Sequence, residues 1–306
     1  MGLDTKATQF LLAARGLGVS LERVATIGRQ RLYVTPAWLR ARLRAIGIAL
    51  DSAATARLFE EADGFAEPLL RMLGARRVLS LDASGYEGAS RVADLNARIA
   101  PDLESAFTTV FDSGSLEHVF DFPTAIGNCM RMVAADGHLL IVTPANNMVG
   151  HGFYQFSPEL FYRVLAESNG FVIERMLATE LSSSRWYQVA DPAVLGTRVQ
   201  FRTFRPTYLC VIARRVAVRP VLVSPPQQSD YVTQWQNTGR TARGVAGADL
   251  HPLDRYLPHW LATVTKSCGH LGQVLLRPFD PKAFKRVDIA RLATGGGATP
   301  PSGRTP

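Results

Sequence analysis

The feature that most constrains the fold of this chain is a series of short apolar runs that alternate with helix-like segments. Three runs, 77–82, 107–112 and 138–143, have the length of a strand and end in Asp82, Asp112 and Thr143. Helical spacing at 65–73 and 125–133 separates strand-like runs, and two more runs follow at 171–176 and 208–213. Strands that alternate with helices predict an α/β domain with a mostly parallel sheet flanked by helices.

We predict that residues 1–50 form an N-terminal helical extension. Apolar spacing within residues 5–47 is helical, and Thr35-Pro36 is a typical start for a helix that ends at Gly47. The stretch 26–33 between these helices has no evident assignment.

The α/β domain is expected to occupy residues 51–216, and residues 217–306 to form an irregular C-terminal appendage. Residues 219–226 are rich in proline, and residues 239–250 are rich in glycine. A helix is predicted at 254–264, and disorder at 294–306.

Composition excludes several classes of protein. The chain has 306 residues, of which 47% are hydrophobic and 20% charged, as in ordinary globular proteins. Its longest apolar runs are far shorter than a membrane-spanning helix, and no secretory signal is evident. The net charge of +8 is expected to reflect a solvated basic face rather than a nucleic-acid partner, because no nucleic-acid motif accompanies it.

The three cysteines, Cys129, Cys210 and Cys268, lie far apart without the spacing of a metal site, which favours a reducing, cytoplasmic setting. No zinc-type cluster, phosphate-binding loop or nucleophile elbow is present. We therefore expect no metal, and neither ATP hydrolysis nor serine hydrolysis.

Acidic and polar residues follow several of the predicted strands. In an open α/β sheet ligands bind at the carboxyl ends of the strands, which selects Asp82, Asp94, residues 112–118 and residues 144–155. A carboxylate at the position of Asp82 can accept hydrogen bonds from both hydroxyls of a ribose. It can equally cap the turn that follows, and the residues alone do not separate these two roles.

The second half of the α/β domain resembles the type 11 group of class I S-adenosylmethionine-dependent methyltransferases. The resemblance is carried by the strand 107–112, the segment Leu116-Glu117-His118-Val119, the turn Asp136-Gly137, and the strand that ends in Thr143-Pro144. It extends over residues 60–178 and, more weakly, to Ala213. It implies a Rossmann-like methyltransferase fold with S-adenosylmethionine as the cofactor.

The resemblance also implies a set of cofactor-binding residues. Asp82 would hold the ribose, Asp94 would lie near the adenine, and Tyr86 could stack on that ring. His118 would belong to the scaffold around the cofactor and is the second candidate for a catalytic base. The full set of predicted cofactor-binding residues is Gly64, Asp82, Tyr86, Asp94, Asp112 and Glu117.

One departure from the family pattern concerns the glycine-rich loop after the first strand, where the backbone approaches the cofactor. We align this loop with residues 59–67, where Gly64 is the one glycine. Two alternatives follow. Either Glu61 or Asp63 meets the methionine ammonium in an unusual arrangement, or the domain has lost cofactor binding.

The segment 144–156 is rich in amide, imidazole and aromatic side chains and is expected to bind the acceptor. His151 is the first candidate for a general base, since imidazole titrates near neutral pH. Alternatively, His151 only bonds the loop to itself. Phe156 is expected to pack in the core, and the predicted substrate-binding residues are Asn146, Asn147, Tyr154 and Gln155.

These observations predict transfer of a methyl group to an oxygen or nitrogen of a small molecule or glycan. The alternative is a non-catalytic binding or scaffold protein of the same fold that has lost the cofactor.

Overall fold

A computed structural model describes residues 2–238 and 279–296. Its helices are α1 (Thr5–Gly16), α2 (Pro36–Ala45), α3 (Ser52–Glu60), α4 (Glu67–Met72), α5 (Phe122–Met132), α6 (Pro158–Val164), α7 (Pro192–Leu195), α8 (Ser229–Thr238) and α9 (Ile289–Ala293). Its strands are β1 (Gly2–Leu3), β2 (Arg23–Ile27), β3 (Arg31–Leu32), β4 (Arg77–Asp82), β5 (Arg91–Val92), β6 (Phe107–Ser113), β7 (Val133–Asn146), β8 (Phe171–Glu180), β9 (Trp186–Val189), β10 (Thr207–Arg215) and β11 (Phe284–Val287).

The elements predicted from the middle of the sequence are confirmed. β4, β6, β7, β8 and β10 contain the five apolar runs, and α4 and α5 overlap the helical segments 65–73 and 125–133. The two predicted helix starts are also present, since the Thr35 side chain accepts from the backbone N–H of Trp38, and that of Ser157 from Leu160. A side-chain oxygen at this position satisfies one of the free N–H groups of the first turn.

Residues 5–47 are expected to be helical on either side of the unassigned stretch 26–33, but the structure has two strands, β2 and β3, between α1 and α2. β2 is a central strand that pairs in parallel with β4 on one side and β6 on the other. Val24 to Ile27 are buried on both faces of the sheet, so their sequence is a short apolar run without alternation. Such a run cannot be distinguished from part of a buried helix by periodicity. A boundary at residue 50 therefore leaves out a strand at the middle of the sheet.

The sheet has nine strands in the order β11-β9-β8-β10-β7-β6-β2-β4-β5. From β5 to β7 all neighbours are parallel, and among the described strands of this sheet β9 and β10 run opposite to the rest. Numbered from β2, the parallel half has the order 3-2-1-4-5 of a doubly wound fold. The chain therefore has a Rossmann-like α/β fold, with a mostly parallel sheet flanked by helices.

The antiparallel half extends the sheet into the region expected to be an irregular appendage. β11 pairs with β9, and α9 packs against α1, where the absence of a side chain at Gly16 lets Leu292 and Ala293 approach. This part of the appendage is therefore ordered within the fold. The predicted helix at 254–264, the glycine-rich segment 239–250 and Cys268 lie outside the described residues, as does the predicted disorder beyond residue 296.

Two apolar layers cover the sheet. One contains α5 and α6 and includes Phe107, Met130 and Phe161, while the other contains α1, α2 and α4 and includes Phe10, Leu39 and Leu69. Cys129 and Cys210 are buried as free thiols, one in each layer. Among the described residues, no helix combines the length and apolar character needed to span a bilayer.

Candidate functional site

The order of the sheet reverses between β2 and β6, which pair directly through Ile27 and Asp112. From this point the chain winds outward through β4 and β5 on one side and through β7 on the other. The connections on the two sides diverge here, which leaves a crevice at the carboxyl ends of the strands where ligands bind in open α/β sheets. Two clefts open at this edge.

The first, which we name the β4 cleft, has a volume of about 170 Å³. Its floor is apolar and includes Ile27 and Leu81, and polar groups surround the floor. These polar groups come from Gly28, Asp82, Asp94, Asn96, Ser115 and His118.

The second, which we name the β6 cleft, has a volume of about 320 Å³. It is lined by the carboxyl end of β6 and by the N-terminal residues Gly2 and Asp4, with Glu117 and His151 on one wall. His118 lines both clefts, so the two are neighbours. Together they reach the roughly 300–1,000 Å³ of typical small-molecule sites.

The loop after β2 starts at Gly28, whose φ of 71° is in the left-handed region that favours glycine. Its N–H donates to the carbonyl of Leu81 (2.6 Å), and the hydroxyl of Ser115 donates to the carbonyl of Ile27 (2.6 Å). Gln30 is buried and its side-chain amide also donates to Ile27. Side chains thus fix this loop, in place of a run of glycines.

Gly64 is not in this loop, which corrects the sequence alignment. It follows α3, and its carbonyl accepts from the N–H of Leu32 (2.8 Å). Gly64 also lies outside the lining of both clefts. Because β2 is not evident in the sequence, the alignment places the loop at residues 59–67, where Gly64 is the one glycine.

Asp82 and Asp94 lie on the same cleft, as predicted. One carboxylate oxygen of Asp82 accepts from the N–H of Ser84 (3.2 Å), so this residue both caps the turn and lines the β4 cleft. Asp94 accepts from the backbone and side chain of Asn96 (2.9 and 2.8 Å), and these bonds lower the pKa of Asp94. Tyr86, predicted to stack on an adenine, is 93% exposed and outside the cleft lining.

Asp112 is fully buried and lines neither cleft, so it does not meet the prediction of a cofactor contact. Its carboxylate accepts from the backbone N–H groups of Ser115 and Leu116 (3.1 and 3.3 Å). Burial raises its pKa well above the ordinary value, and the nearby charge of Glu117 adds to this effect. The role of Asp112 is to hold the turn that carries Glu117 and His118.

Glu117 has a fully buried side chain on the wall of the β6 cleft. Its Oε2 accepts from the Thr143 hydroxyl (3.3 Å), whereas its Oε1 has no hydrogen-bond partner among the described residues. The Nε2 atom of His151 lies 3.3 Å from Oε1, within ion-pair distance but without hydrogen-bond geometry. Burial raises the pKa of Glu117 to about 7.

His151 and His118 come together although they lie on different loops. Their ring centroids are 5.2 Å apart, and burial together with the neighbouring His151 lowers the pKa of His118. Backbone bonds hold the two loops together, since Phe153 N–H donates to the Glu117 carbonyl (2.8 Å). A Cβ on Gly152 would lie 2.8 Å from that same carbonyl oxygen, so only glycine fits at this crossing without a shift.

The four predicted substrate-binding residues hold the loop in place and line neither cleft. The side chains of Asn146 and Asn147 donate to the segment 201–205, including the Thr203 carbonyl. Gln155 accepts from Met148 N–H (2.7 Å), and the Tyr154 hydroxyl donates to the Phe120 carbonyl (2.7 Å). Sequence composition indicates that the loop is polar, but not which of its groups face inward.

Phe120 and Phe153 form an exposed apolar rim next to the two histidines. The rings meet edge to face with centroids 5.8 Å apart, and the residues are 71% and 66% exposed. Together the two rings leave a small apolar patch in contact with solvent.

Sequence reasoning missed Gly28, and it assigned no role to Ser115 or Gly152 within the selected ranges 112–118 and 144–155. The available signal for Gly28 was the apolar run Val24 to Ile27 directly before it, which is a possible strand followed by a glycine turn. Gly152 had no local signal, because its requirement for glycine comes from a contact with Glu117 on another loop.

No family model and no curated protein matches the sequence. Among solved structures, the chain is similar to the N-methyltransferase NodS from Bradyrhizobium japonicum WM9 in complex with S-adenosyl-L-homocysteine (14% identity, 70% of this chain and 87% of that chain, TM-score 0.38). It is also similar to geranyl diphosphate C-methyltransferase from Streptomyces coelicolor A3(2) (13% identity, 69% and 79%, TM-score 0.40). A third is 1,6-didemethyltoxoflavin-N1-methyltransferase from Burkholderia thailandensis (14% identity, 69% and 77%, TM-score 0.35).

Proposed function

We propose that this protein is an S-adenosylmethionine-dependent methyltransferase that acts on an oxygen or nitrogen of a small molecule or glycan. The observation that carries the proposal is the pair of neighbouring clefts at the switch point of the sheet. One cleft has carboxylates over an apolar floor, and the other has imidazoles beside a buried carboxylate.

The residues of the β4 cleft fit the nucleoside end of the cofactor. Asp82 would accept hydrogen bonds from the ribose hydroxyls, and Asp94 with Asn96 would lie at the adenine side, where Leu81 and Leu95 also line the cleft. Gly28 leaves the backbone open toward the methionine part. When bound, the cofactor supplies an electrophilic methyl group on a sulfonium centre.

The β6 cleft is proposed as the acceptor site. Its task is to place the attacking atom in line with the methyl group, and alignment of this kind contributes several kcal/mol to a rate. His151 and His118 line this cleft, and we propose that they help the acceptor to lose its proton. Phe120 and Phe153 lie outside the lining of this cleft, and we propose that they contact an apolar part of the acceptor that extends beyond it, such as an aromatic ring or the carbon-bound hydrogens of a sugar.

Two further proposals concern the setting of the reaction. We place it in the cytoplasm, with which the free buried thiols of Cys129 and Cys210 are compatible. The acceptor is a small molecule or glycan rather than a nucleic acid.

Calorimetric titration with S-adenosylmethionine and S-adenosylhomocysteine tests the function directly. We expect binding of one ligand per chain by the full-length protein. Absence of heat at millimolar ligand, from protein that is folded by circular dichroism, would overturn the proposal.

The second candidate is a scaffold protein that has lost the cofactor. The loop after β2 favours this scaffold role, because Gln30 is buried within it. In addition, Arg29 forms an ion pair with Glu67 (2.7 Å) and donates a hydrogen bond to the Glu87 carbonyl (2.8 Å). The same titration separates the two candidates.

A further inference from the structure

Three potential metal ligands lie together on the wall of the β6 cleft. The ligand atoms of Glu117, His118 and His151 all lie within 4.8 Å of one another. Since no ligand of this cluster is a cysteine and none follows a His-Glu-x-x-His pattern, a search of the sequence for metal motifs does not find it. Two short segments from different loops create it.

The Glu117 carboxylate is the strongest indication that something is bound here. Its side chain is completely buried, and Oε1 faces the two imidazoles without a hydrogen bond. A buried carboxylate oxygen that accepts no hydrogen bond costs free energy, and buried carboxylates are generally hydrogen-bonded, paired or bound to metals. Because Thr143 already orients the other oxygen, Oε1 is free to be a ligand.

The spacing also fits a metal ion. Ligand atoms at 2.0–2.2 Å from a tetrahedral ion are about 3.3–3.6 Å apart, and His151 Nε2 lies 3.3 Å from Glu117 Oε1. A ring nitrogen of His118 lies within 4.8 Å of both atoms. Gly152 is the residue that allows this approach, since its missing Cβ would also lie 3.1 Å from His118 Nδ1.

We propose that Glu117, His118 and His151 form a binding site for a divalent transition-metal ion, such as Zn²⁺. Two imidazoles and one carboxylate select ions of this class over Mg²⁺ or Ca²⁺, which prefer oxygen ligands. Three protein ligands that face a cleft leave a coordination position open, as in catalytic rather than structural zinc sites.

The role of this ion follows if the proposed methyltransferase function holds. An acceptor hydroxyl at the open position would lose its proton to solvent more easily, because a bound cation stabilises the resulting oxyanion. The oxyanion would then form the new carbon–oxygen bond as the sulfur–methyl bond breaks, with S-adenosylhomocysteine as the leaving group. His151 assists as a ligand and does not itself accept the proton.

Metal binding is measured on the full-length protein after dialysis against a chelator, by calorimetry with Zn²⁺ alone and by the visible absorption of added Co²⁺. We expect one ion per chain. His151→Ala, His118→Ala and Glu117→Gln should each weaken Zn²⁺ binding at least about tenfold, since even changes outside the ligand set cost 10- to 100-fold. Glu117→Gln keeps the volume of the buried side chain.

His138→Gln is the matched control, because His138 also lies beside a glutamate, Glu174 (3.3 Å), but is remote from the cluster. It should bind Zn²⁺ as the unchanged protein does. The proposal is overturned if no ion binds, or if folded His151→Ala and His118→Ala bind Zn²⁺ with unchanged affinity. Titration with S-adenosylhomocysteine on the same samples reports separately on the methyltransferase proposal.

Discussion

His151 Nε2 lies 3.3 Å from the Oε1 atom of Glu117, a carboxylate that the fold buries completely. The two residues follow neighbouring parallel strands, since Glu117 comes after β6 and His151 after β7. Backbone hydrogen bonds from Phe153 and Tyr154 to the Glu117 carbonyl keep the loops in contact. This crossing of the two loops shapes the β6 cleft.

Gly152→Ala tests the crossing itself. The added Cβ meets the Glu117 carbonyl oxygen at 2.8 Å, so the loop must move away from Glu117 and His118. We expect Zn²⁺ binding to weaken at least tenfold and the free energy of unfolding to fall by about 1–3 kcal/mol. Calorimetry and urea unfolding measure the two effects.

Gly150→Ala is the control for this change, because a Cβ there has no atom within 4 Å. Gly150→Ala should leave the Zn²⁺ affinity and the free energy of unfolding nearly unchanged. If Gly152→Ala and Gly150→Ala have the same Zn²⁺ affinity and the same stability, the close packing at Gly152 is contradicted.

Asp82→Ala tests the nucleoside end of the site. Loss of a hydrogen bond to a charged group costs about 1.5–3 kcal/mol, so we expect the affinity for S-adenosylhomocysteine to fall roughly 10- to 150-fold. Asp136→Asn is a suitable control, since Asp136 has a φ of 58° that asparagine tolerates and lies outside both clefts. Unchanged affinity in Asp82→Ala would show that the ribose lies elsewhere.

Gly28→Ala tests the loop after β2. With φ at 71°, an L side chain costs about 1–2 kcal/mol of stability, and a Cβ here also narrows the β4 cleft. Gly18→Ala is the control, because Gly18 also has a positive φ (94°) and an added Cβ there would have no atom within 4 Å. We expect both variants to unfold at lower urea, and only Gly28→Ala to bind S-adenosylhomocysteine less tightly. If Gly28→Ala and Gly18→Ala lose affinity for S-adenosylhomocysteine equally, reduced stability explains the loss and the cleft does not.

Glu174 predicts a pH dependence of stability at the other end of the sheet. A bond from His138 (3.3 Å) and one from Arg214 (2.9 Å) lower the pKa of Glu174 below its usual value of 4.5, although burial opposes this. Arg214 also pairs with Asp136 (3.3 Å). A carboxyl whose pKa is lower in the folded state stabilises the fold above its unfolded pKa, and the contribution is lost as pH falls through the folded pKa.

Glu174→Gln should therefore lower the free energy of unfolding at pH 7 by about 0.5–1 kcal/mol, a modest value because the side chain is 34% exposed and solvent screens it. At pH 3 the variant and the unchanged protein should approach each other in stability. Urea unfolding at both pH values measures this, with the exposed Glu60→Gln as the control. If the two proteins differ in free energy of unfolding as much at pH 3 as at pH 7, packing of the side chain and not its charge is responsible.

Local patterns in the sequence determined much of the fold. Apolar runs with helical or strand periods specified β4, β6, β7, β8, β10 and α5, because these elements are long or bounded by clear turn residues. The same patterns placed Asp82 and Asp94 at strand ends, which is sufficient to predict that they share one edge of a parallel sheet.

Only the tertiary structure decided the position of β2 and the composition of the site. β2 is five residues long and buried on both faces, so its identity as the central strand depends on pairing with β4 and β6, which are distant in sequence. Likewise, Asn146 and Gln155 hold the loop while His151 meets Glu117, because the side chains that face a cleft are selected by packing between loops. Periodicity reports how each segment is buried, but not which segments touch, and the site is made of such contacts.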